Sequence, residues 1–451
     1  MSASAFIRVI NRRQVLALAF GAMVGWSWVA LTGVWIADAG AVGAMLAFLA
    51  GGGVLIFVGL TYAELAAAMP EVGGEHVYSG RALGRTASFI CTWAILLGYT
   101  SVVAFEAVAL PTVLEYLLPG FSQGYLWTVA GWDVNATWVL TGTLAAIAMI
   151  VINILGIRTA ARLQVLVVAV VLVSGFGLIW GAISSGEITN VSPAFHGGFA
   201  GILSVLVMVP FMFVGFDVIP QSAEEIDLPF ADIGRLLVFS ILLAIVWYTL
   251  VIGAVALGLS DVELSSSSLP TADAASALFG GSLAGKLLVI GGIAGILTSW
   301  NAFLIGGSRA LYALAKAGQV PGTFAALHPK FHTPHRAILL TGGLAVIAPL
   351  FGRPAMVWLV DAGGLGIITA YAMVALSFLV LRAREPDMER PYRVKSGRLI
   401  GYLALALSIA LASLYLPWSP AALIWPHEWL IVLGWCALGL LFHWLSRSAA
   451  V

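Results

Sequence analysis

Two carboxylates, Asp217 and Glu106, stand in stretches that otherwise read as hydrocarbon. Asp217 lies in SVLVMVPFMFVGFDVIPQSAE, a membrane-length apolar run interrupted by Pro210, Gly215 and Pro220; Glu106 lies in YTSVVAFEAVALPT. On insertion scales a carboxylate near the bilayer centre costs about 2.5–3.5 kcal/mol. A broken helix also frees backbone N–H and C=O groups that hydrocarbon cannot satisfy. Such residues persist where they face a cavity or protein interior, so both point to a solute pathway. The chemistry open to them is counter-charge to an amine, or carriage of a proton. Each has a structural reading as well. Asp217 can cap the half-helix after the break by accepting its N–H groups, and Glu106 can sit protonated against a neighbouring helix.

Other polar and aromatic groups share these apolar runs. Phe211 and Phe213 precede Gly215, either as a gate over a solute or as ordinary packing. Thr298 and Ser299 offer adjacent hard oxygens that suit sodium, although such hydroxyls also bond back to helix carbonyls. Trp300 and Asn301 follow directly, and Asn301 either bridges helices or touches the solute. Glu64, Glu71, Glu75, His76 and Arg81, with Glu224 and Glu225, mark an inner rim where ion pairs with Arg158, Arg162 or Arg309 are possible, as is a plain solvated face. His328, His332 and His335 lack the accompanying acids or cysteines of a metal site.

The elements that must position these groups are membrane helices. The chain is 61% hydrophobic and 9% charged, with a mean hydropathy of +1.03; the bilayer is its main solvent. About twelve apolar stretches are long enough to span: 15–37, 41–65, 87–118, 137–155, 163–184, 199–223, 235–259, 284–315, 336–352, 355–381, 399–416 and 424–445. With residues 1–14 in the cytoplasm, alternation leaves only Lys286 and Arg353 of the 21 basic residues outside, the asymmetry of the positive-inside rule. Both termini are then cytoplasmic. Trp127, Trp132 and Trp138, and separately Trp418, Trp425 and Trp429, read as aromatic belts at the headgroups. Cys91 and Cys436 fall in spans, which argues against a disulfide. There is no nucleic-acid signature, and no cofactor is implied.

The first span carries GAMVGWSWVALTG, punctuated by Gly21, Gly25 and Gly33, and the sixth carries the Pro210–Gly215–Pro220 interruption. They open two sets of five spans, 15–184 and 199–381. Five is odd, so the second set starts on the opposite side: an inverted repeat whose interrupted helices meet at a mid-membrane site. Spans within 399–446 fall outside the repeat. An enzyme needs a nucleophile–base pair or metal ligands at depth, and His443 with two isolated cysteines is a poor constellation. A channel needs a continuous polar file, which two broken helices do not provide.

Four blocks carry a family resemblance: TYAELAAAMPEVGGEHVYSGRALG (61–84), FMFVGFDVIPQSAEEI (211–226), WNAFLIGGSRALYALAKAGQVPGTFAALHPKFHTPHRAI (300–338) and RAREPDMERPYRV (382–394). In this order they resemble the amino acid–polyamine–organocation permeases. The resemblance implies the leucine-transporter fold: all-α, five plus five inverted helices with discontinuous first and sixth helices, plus two more at the C-terminus. It also implies alternating access around a central site. The family's Gly–small–Gly segment, whose N–H groups hold a substrate carboxylate, corresponds here to Gly25, Trp26 and Ser27, next to Met23. Trp26 is then a lid, a wall or a lipid-facing residue. Gln164 matches a family glutamine, but no lysine follows it two turns on, where the chain reads Ala169–Val170–Val171.

The expected protein is thus a multi-pass permease of the cell inner or plasma membrane, carrying an amino acid with proton coupling or by exchange. An amine, polyamine or ethanolamine permease is the alternative. The expected substrate site comprises Met23, Gly25, Trp26, Ser27, Glu106, Phe211, Phe213, Gly215, Asp217, Trp300 and Asn301. Glu106 and Asp217 are the proton-coupling residues, and Thr298 and Ser299 the sodium alternative.

Overall fold

A computed structural model describes residues 9–448, apart from the side chains of 157–163 and 447–448. Arg8 therefore lies outside the described residues, as do the side chains of Arg158, Arg162 and Arg447, all counted among the basic residues above. Helix α1 (Arg12–Val24) starts at a capping box: Asn11 accepts from the Arg13 and Gln14 amides, and Gln14 accepts from the Asn11 amide, so orphan N–H groups are satisfied at the outset. It stops at Gly25. A single turn, α2 (Ser27–Ala30), follows, then α3 (Thr32–Ala68), which bends sharply at Gly40 (φ 74°). Next come α4 (Glu75–Leu83), α5 (Arg85–Leu117), strands β1 (Tyr125–Val129) and β2 (Trp132–Asn135), α6 (Ala136–Ile154) and α7 (Ile157–Ser185). The second half holds α8 (Gly198–Phe213), α9 (Val218–Gln221), α10 (Phe230–Gly258), α11 (Asp261–Ser266), α12 (Pro270–Leu278) and α13 (Ser282–Lys316). The chain closes with α14 (His335–Ile347), α15 (Ala355–Arg384), α16 (Gly397–Ser413) and α17 (His427–Ser448).

Among the described residues nine helices are long and apolar enough to cross a membrane, and two apolar helices, His335–Phe351 and Gly397–Ser413, are shorter. The molecule is a predominantly helical, multi-pass membrane protein. Helix α5 runs along α13 and α15, while α3 runs along α8 and α10. These buried helices form the middle. Helix α17 lies outermost, exposed along most of its length against α15 and α5.

One element departs from the all-helical expectation. β1 and β2 form an antiparallel hairpin closed by Ala130 (φ 48°) and Gly131 (φ 80°), the two positive-φ positions of a primed two-residue turn. The packing around the hairpin also corrects the belt reading for Trp132 and Trp138, while Trp127 stays 41% exposed. Trp138 is wholly buried, with its ring 4.5 Å from that of Trp132. Trp132 in turn fills the space that a side chain at Gly352 would need. Both fasten the hairpin to the protein rather than to headgroups.

Charged residues cluster where α3, α9, α13 and α15 end. Glu64, 1% exposed, accepts from Arg382 Nε at 2.9 Å and the Val394 amide at 2.8 Å, and forms an ion pair with Arg390 Nε at 3.0 Å. Arg309 Nε reaches Glu225 Oε1 at 3.0 Å, both side chains being buried. The segment before α1 adds its backbone to the same corner: the Val9 and Ile10 amides donate to Glu225 O at 2.9 and 3.0 Å.

Candidate functional site

The interruptions at Gly25 and Gly215 lie against each other. Gly215 has φ 135°, and a Cβ there would stand 2.6 Å from Ala22 Cβ and 2.9 Å from the Met23 amide nitrogen. Gly25 has φ 30°, and its Cβ would stand 3.0 Å from Ser299 Oγ and 3.2 Å from Glu106 Oε1. Both positions need glycine for conformation and for space. Gly215→Ala is expected to lower thermal stability in detergent by a few degrees at least, because strain of about 1–3 kcal/mol adds to a backbone collision. A melting curve superimposable on wild type would contradict this packing.

Tyr248 of α10 ties the two breaks together. Its hydroxyl oxygen lies 2.6 Å from Met23 O, 3.2 Å from Met212 O and 3.0 Å from Ser27 Oγ. The single phenolic proton goes to a carbonyl, so Ser27 donates to the tyrosine. The freed carbonyls of both interrupted helices thus share one donor. Sequence reading did not select Tyr248, although a tyrosine in an apolar helix must find a partner for its hydroxyl.

Each break has an acid beside it. Glu106 on α5 is 2% exposed and accepts from the Ser299 hydroxyl. The backbone amide of Trp26 lies beside the same carboxylate, while Glu106 Oε2 is buried without a partner. The amide that follows the Gly25 break therefore meets a carboxylate supplied by the protein itself, while the Gly25 amide still donates to Gly21 O. Asp217 is wholly buried, accepting from the Gly215 amide at 2.7 Å (Oδ1) and from Tyr99 Oη at 2.7 Å (Oδ2). It does not cap α9. That corrects the capping reading: Asp217 reaches back to satisfy the break rather than forward to the next turn.

The α13 residues divide between two networks. Thr298 Oγ1 donates at 2.9 Å to Gly21 O and lies 2.7 Å from Gly295 O. With Ser299 directed at Glu106, both hydroxyls of the sodium alternative are engaged within the protein. Asn301 accepts from Asn153 Nδ2 and donates to Gln164 Oε1, both at 3.1 Å; Gln164 Nε2 donates to Thr298 O at 3.1 Å. Asn301 thereby joins α6, α7 and α13. Asn301→Ala is expected to lower melting temperature while leaving solute KM within about twofold; a KM shift alone would place it in the site instead.

Trp26 turns inward, is wholly buried, and presses its ring on Gly292, where a Cβ would stand 1.7 Å from Cζ3. That rules out the lipid-facing alternative. Trp300 is buried with its indole N–H unpartnered, as is that of Trp26. Phe211 meets Phe105 edge-on at 5.9 Å, whereas Phe213 faces Tyr248 at 5.5 Å and Phe48 at 6.2 Å. The two phenylalanines thus point to different helices. Two apolar cavities of about 470 and 460 Å³ lie on the flanks, one by Trp358 and Trp435, the other by Phe20 and Trp247. Neither is lined by the break glycines or the two acids. Among the described residues no cluster of three His, Cys, Asp or Glu side chains is placed to hold a metal.

The arrangement is a buried polar junction between two interrupted helices, not a catalytic constellation. Comparison with known proteins agrees. The chain is 26% identical to a branched-chain amino acid permease of Bacillus subtilis (strain 168), over 97% of this chain and 92% of that protein. It is 23% identical to the methylthioribose transporter of the same strain, over 97% and 93%. With that strain's aspartate–proton symporter the identity is 26%, over 88% and 78%. A family profile described as amino acid permease matches residues 10–442. Given that match across nearly its whole length, the chain belongs to the amino acid permease family, whose members are membrane transporters rather than enzymes.

Proposed function

We propose that this chain moves an amino acid or a related amine across the cell inner or plasma membrane by alternating access, coupled to protons or working by exchange. The halves 15–184 and 199–381 form the inverted repeat, both termini face the cytoplasm, and 399–446 adds two helices. The interrupted pair α1–α2 and α8–α9 moves against α5 and α13. One observation supports this above all: Glu106, buried beside the Gly25 break with Oε2 unpartnered, is an acceptor that a solute ammonium or a proton can satisfy.

The names of the relatives cover branched-chain amino acids, methylthioribose and aspartate with protons. Residues in this chain's own junction must therefore set its solute. Glu106 lies beside the Trp26 amide, a donor that would otherwise meet a solute carboxylate, and this favours the amine alternative as the second reading. Thermal-shift screening of purified protein, with and without sodium at two pH values, tests both. An amino acid is expected to stabilise the protein and to enter proteoliposomes. If its decarboxylated amine binds equally or better, the solute is an amine; if neither class binds, the reading fails.

A further inference from the structure

Where α4 meets α9 lies a second group of buried polar side chains. Glu75 opens α4 and is wholly buried. Its Oε2 accepts from Gln221 Nε2 of α9, while Oε1 has no partner. Asp217 heads α9 one turn before Gln221, so the same half-helix carries both the amide that Glu75 holds and the second carboxylate, and the two acids repel. Tyr62, Tyr99 and Tyr371 lie within electrostatic reach of both acids. The ring of Tyr371 lies 5.6 Å from that of Tyr62. The hydroxyls of Tyr62, Tyr78 and Tyr371, Gln221 Oε1 and Ser222 Oγ are all buried and unpartnered.

Two neighbouring buried carboxylates cannot both stay ionised without a compensating cation. No cationic side chain among the described residues supplies one. Arg309 on α13 is held by Glu225, and Arg384 on α15 donates to Ala82 O. On α4 itself Arg81 pairs with Glu385, and the His76 ring faces Ser88. Burial, then the neighbouring Arg85, lower the His76 pKa to about 4, so it is neutral. The remaining titratable neighbours, Tyr78, Cys91 and Glu71, are not cations.

We propose that Glu75 and Asp217, with Gln221 and the Tyr62 and Tyr371 hydroxyls, form a binding site for one exchangeable positive charge. The charge is a proton shared by the acids or an alkali cation held by the oxygens. The site adjoins the solute junction through Asp217, which also holds the Gly215 amide, and it deepens the transport reading by giving the coupling charge a place of its own beside Glu75. It also has a mechanical connection. Gly73 (φ 104°) and Gly74 (φ 39°) bring α4 onto α13 and α9: a Cβ on Gly73 would stand 2.5 Å from Ala313 Cβ, and one on Gly74 3.2 Å from Pro220 Cβ. A charge bound between Glu75 and Asp217 therefore holds α4 against the half-helix that leads to the Arg309–Glu225 pair.

The test uses full-length protein in detergent without solute, so that it stands or falls independently of transport. Melting temperature is measured from pH 5.5 to 9 in choline, sodium, potassium and lithium chloride, for wild type, Glu75→Gln and Tyr371→Phe. In choline the wild-type midpoint is expected to fall as pH rises, because the folded state holds a proton that the unfolded chain releases. Glu75→Gln should flatten at least half of that fall, and Tyr371→Phe should shift its midpoint. Restoration at high pH by one alkali ion, absent in Glu75→Gln, assigns that ion; no restoration assigns a proton. If Glu75→Gln does not fold, direct binding of radiolabelled sodium to wild type and Tyr371→Phe replaces its arm. Identical pH profiles in all three proteins, with no alkali response, overturn the site.

Discussion

Glu106→Gln is expected to reduce solute uptake by about tenfold or more and to flatten its pH dependence between pH 5.5 and 8, with the fold intact. The amide keeps an oxygen for the Ser299 hydroxyl, so the local hydrogen bond survives. What disappears is the negative charge beside the Gly25 break, on a carboxylate whose Oε2 is buried without a protein partner. Losing one partner of a buried charged hydrogen bond costs roughly 2–5 kcal/mol, and each 1.4 kcal/mol is about tenfold in affinity. Asp217→Asn should behave differently. An amide there can still accept from one of Tyr99 and the Gly215 amide, which the carboxylate serves with separate oxygens. Its loss should therefore include thermal stability as well as uptake. If both variants transport at wild-type rate with an unchanged pH profile, neither acid takes part.

Arg309→Ala should be the most damaging of the charge removals. It leaves Glu225 as an uncompensated buried anion, a change worth about 3–5 kcal/mol. Folded yield should drop sharply on size-exclusion chromatography. Arg309→Met combined with Glu225→Leu should regain much of the lost stability, since apolar replacements of a buried ion pair are often neutral or better. The pair then acts as a latch whose absence shows in transport kinetics rather than in folding. Arg81→Ala provides the contrast. Its partner Glu385 shares a pair with side chains 49% and 32% exposed, and such pairs contribute about 0–1 kcal/mol. Equal losses from both substitutions would contradict the burial argument.

The limits of sequence reading show residue by residue. Asp217 and Glu106 were visible because charge in hydrocarbon is anomalous wherever it occurs, and Gly25 and Gly215 because they interrupt apolar runs. Tyr248 and Tyr99 were not selected, since a tyrosine's hydroxyl reveals its partner only once helices 36 to 225 residues away are brought beside it. Asn301 carried two readings that no local pattern separates. Its bonds to Asn153 and Gln164 depend on the rotation of three helices. Glu75 looked like a rim residue in a charged turn. Only the docking of α4 onto α9, across glycines that admit no side chain, turns it into the interior.

What the sequence by itself determined is what the bilayer enforces locally: a helical, multi-pass chain with interruptions near Gly25 and Gly215 and two acids at depth. Hydropathy, helix breaking and the cost of buried charge act on each segment regardless of its neighbours. Tertiary structure alone decided which groups meet: Tyr248 across both breaks, Glu106 against the amide that follows Gly25, Glu225 with Arg309, and Glu75 near Asp217. Those pairings rest on helix rotation and close approach between distant segments, which periodicity along one chain does not encode.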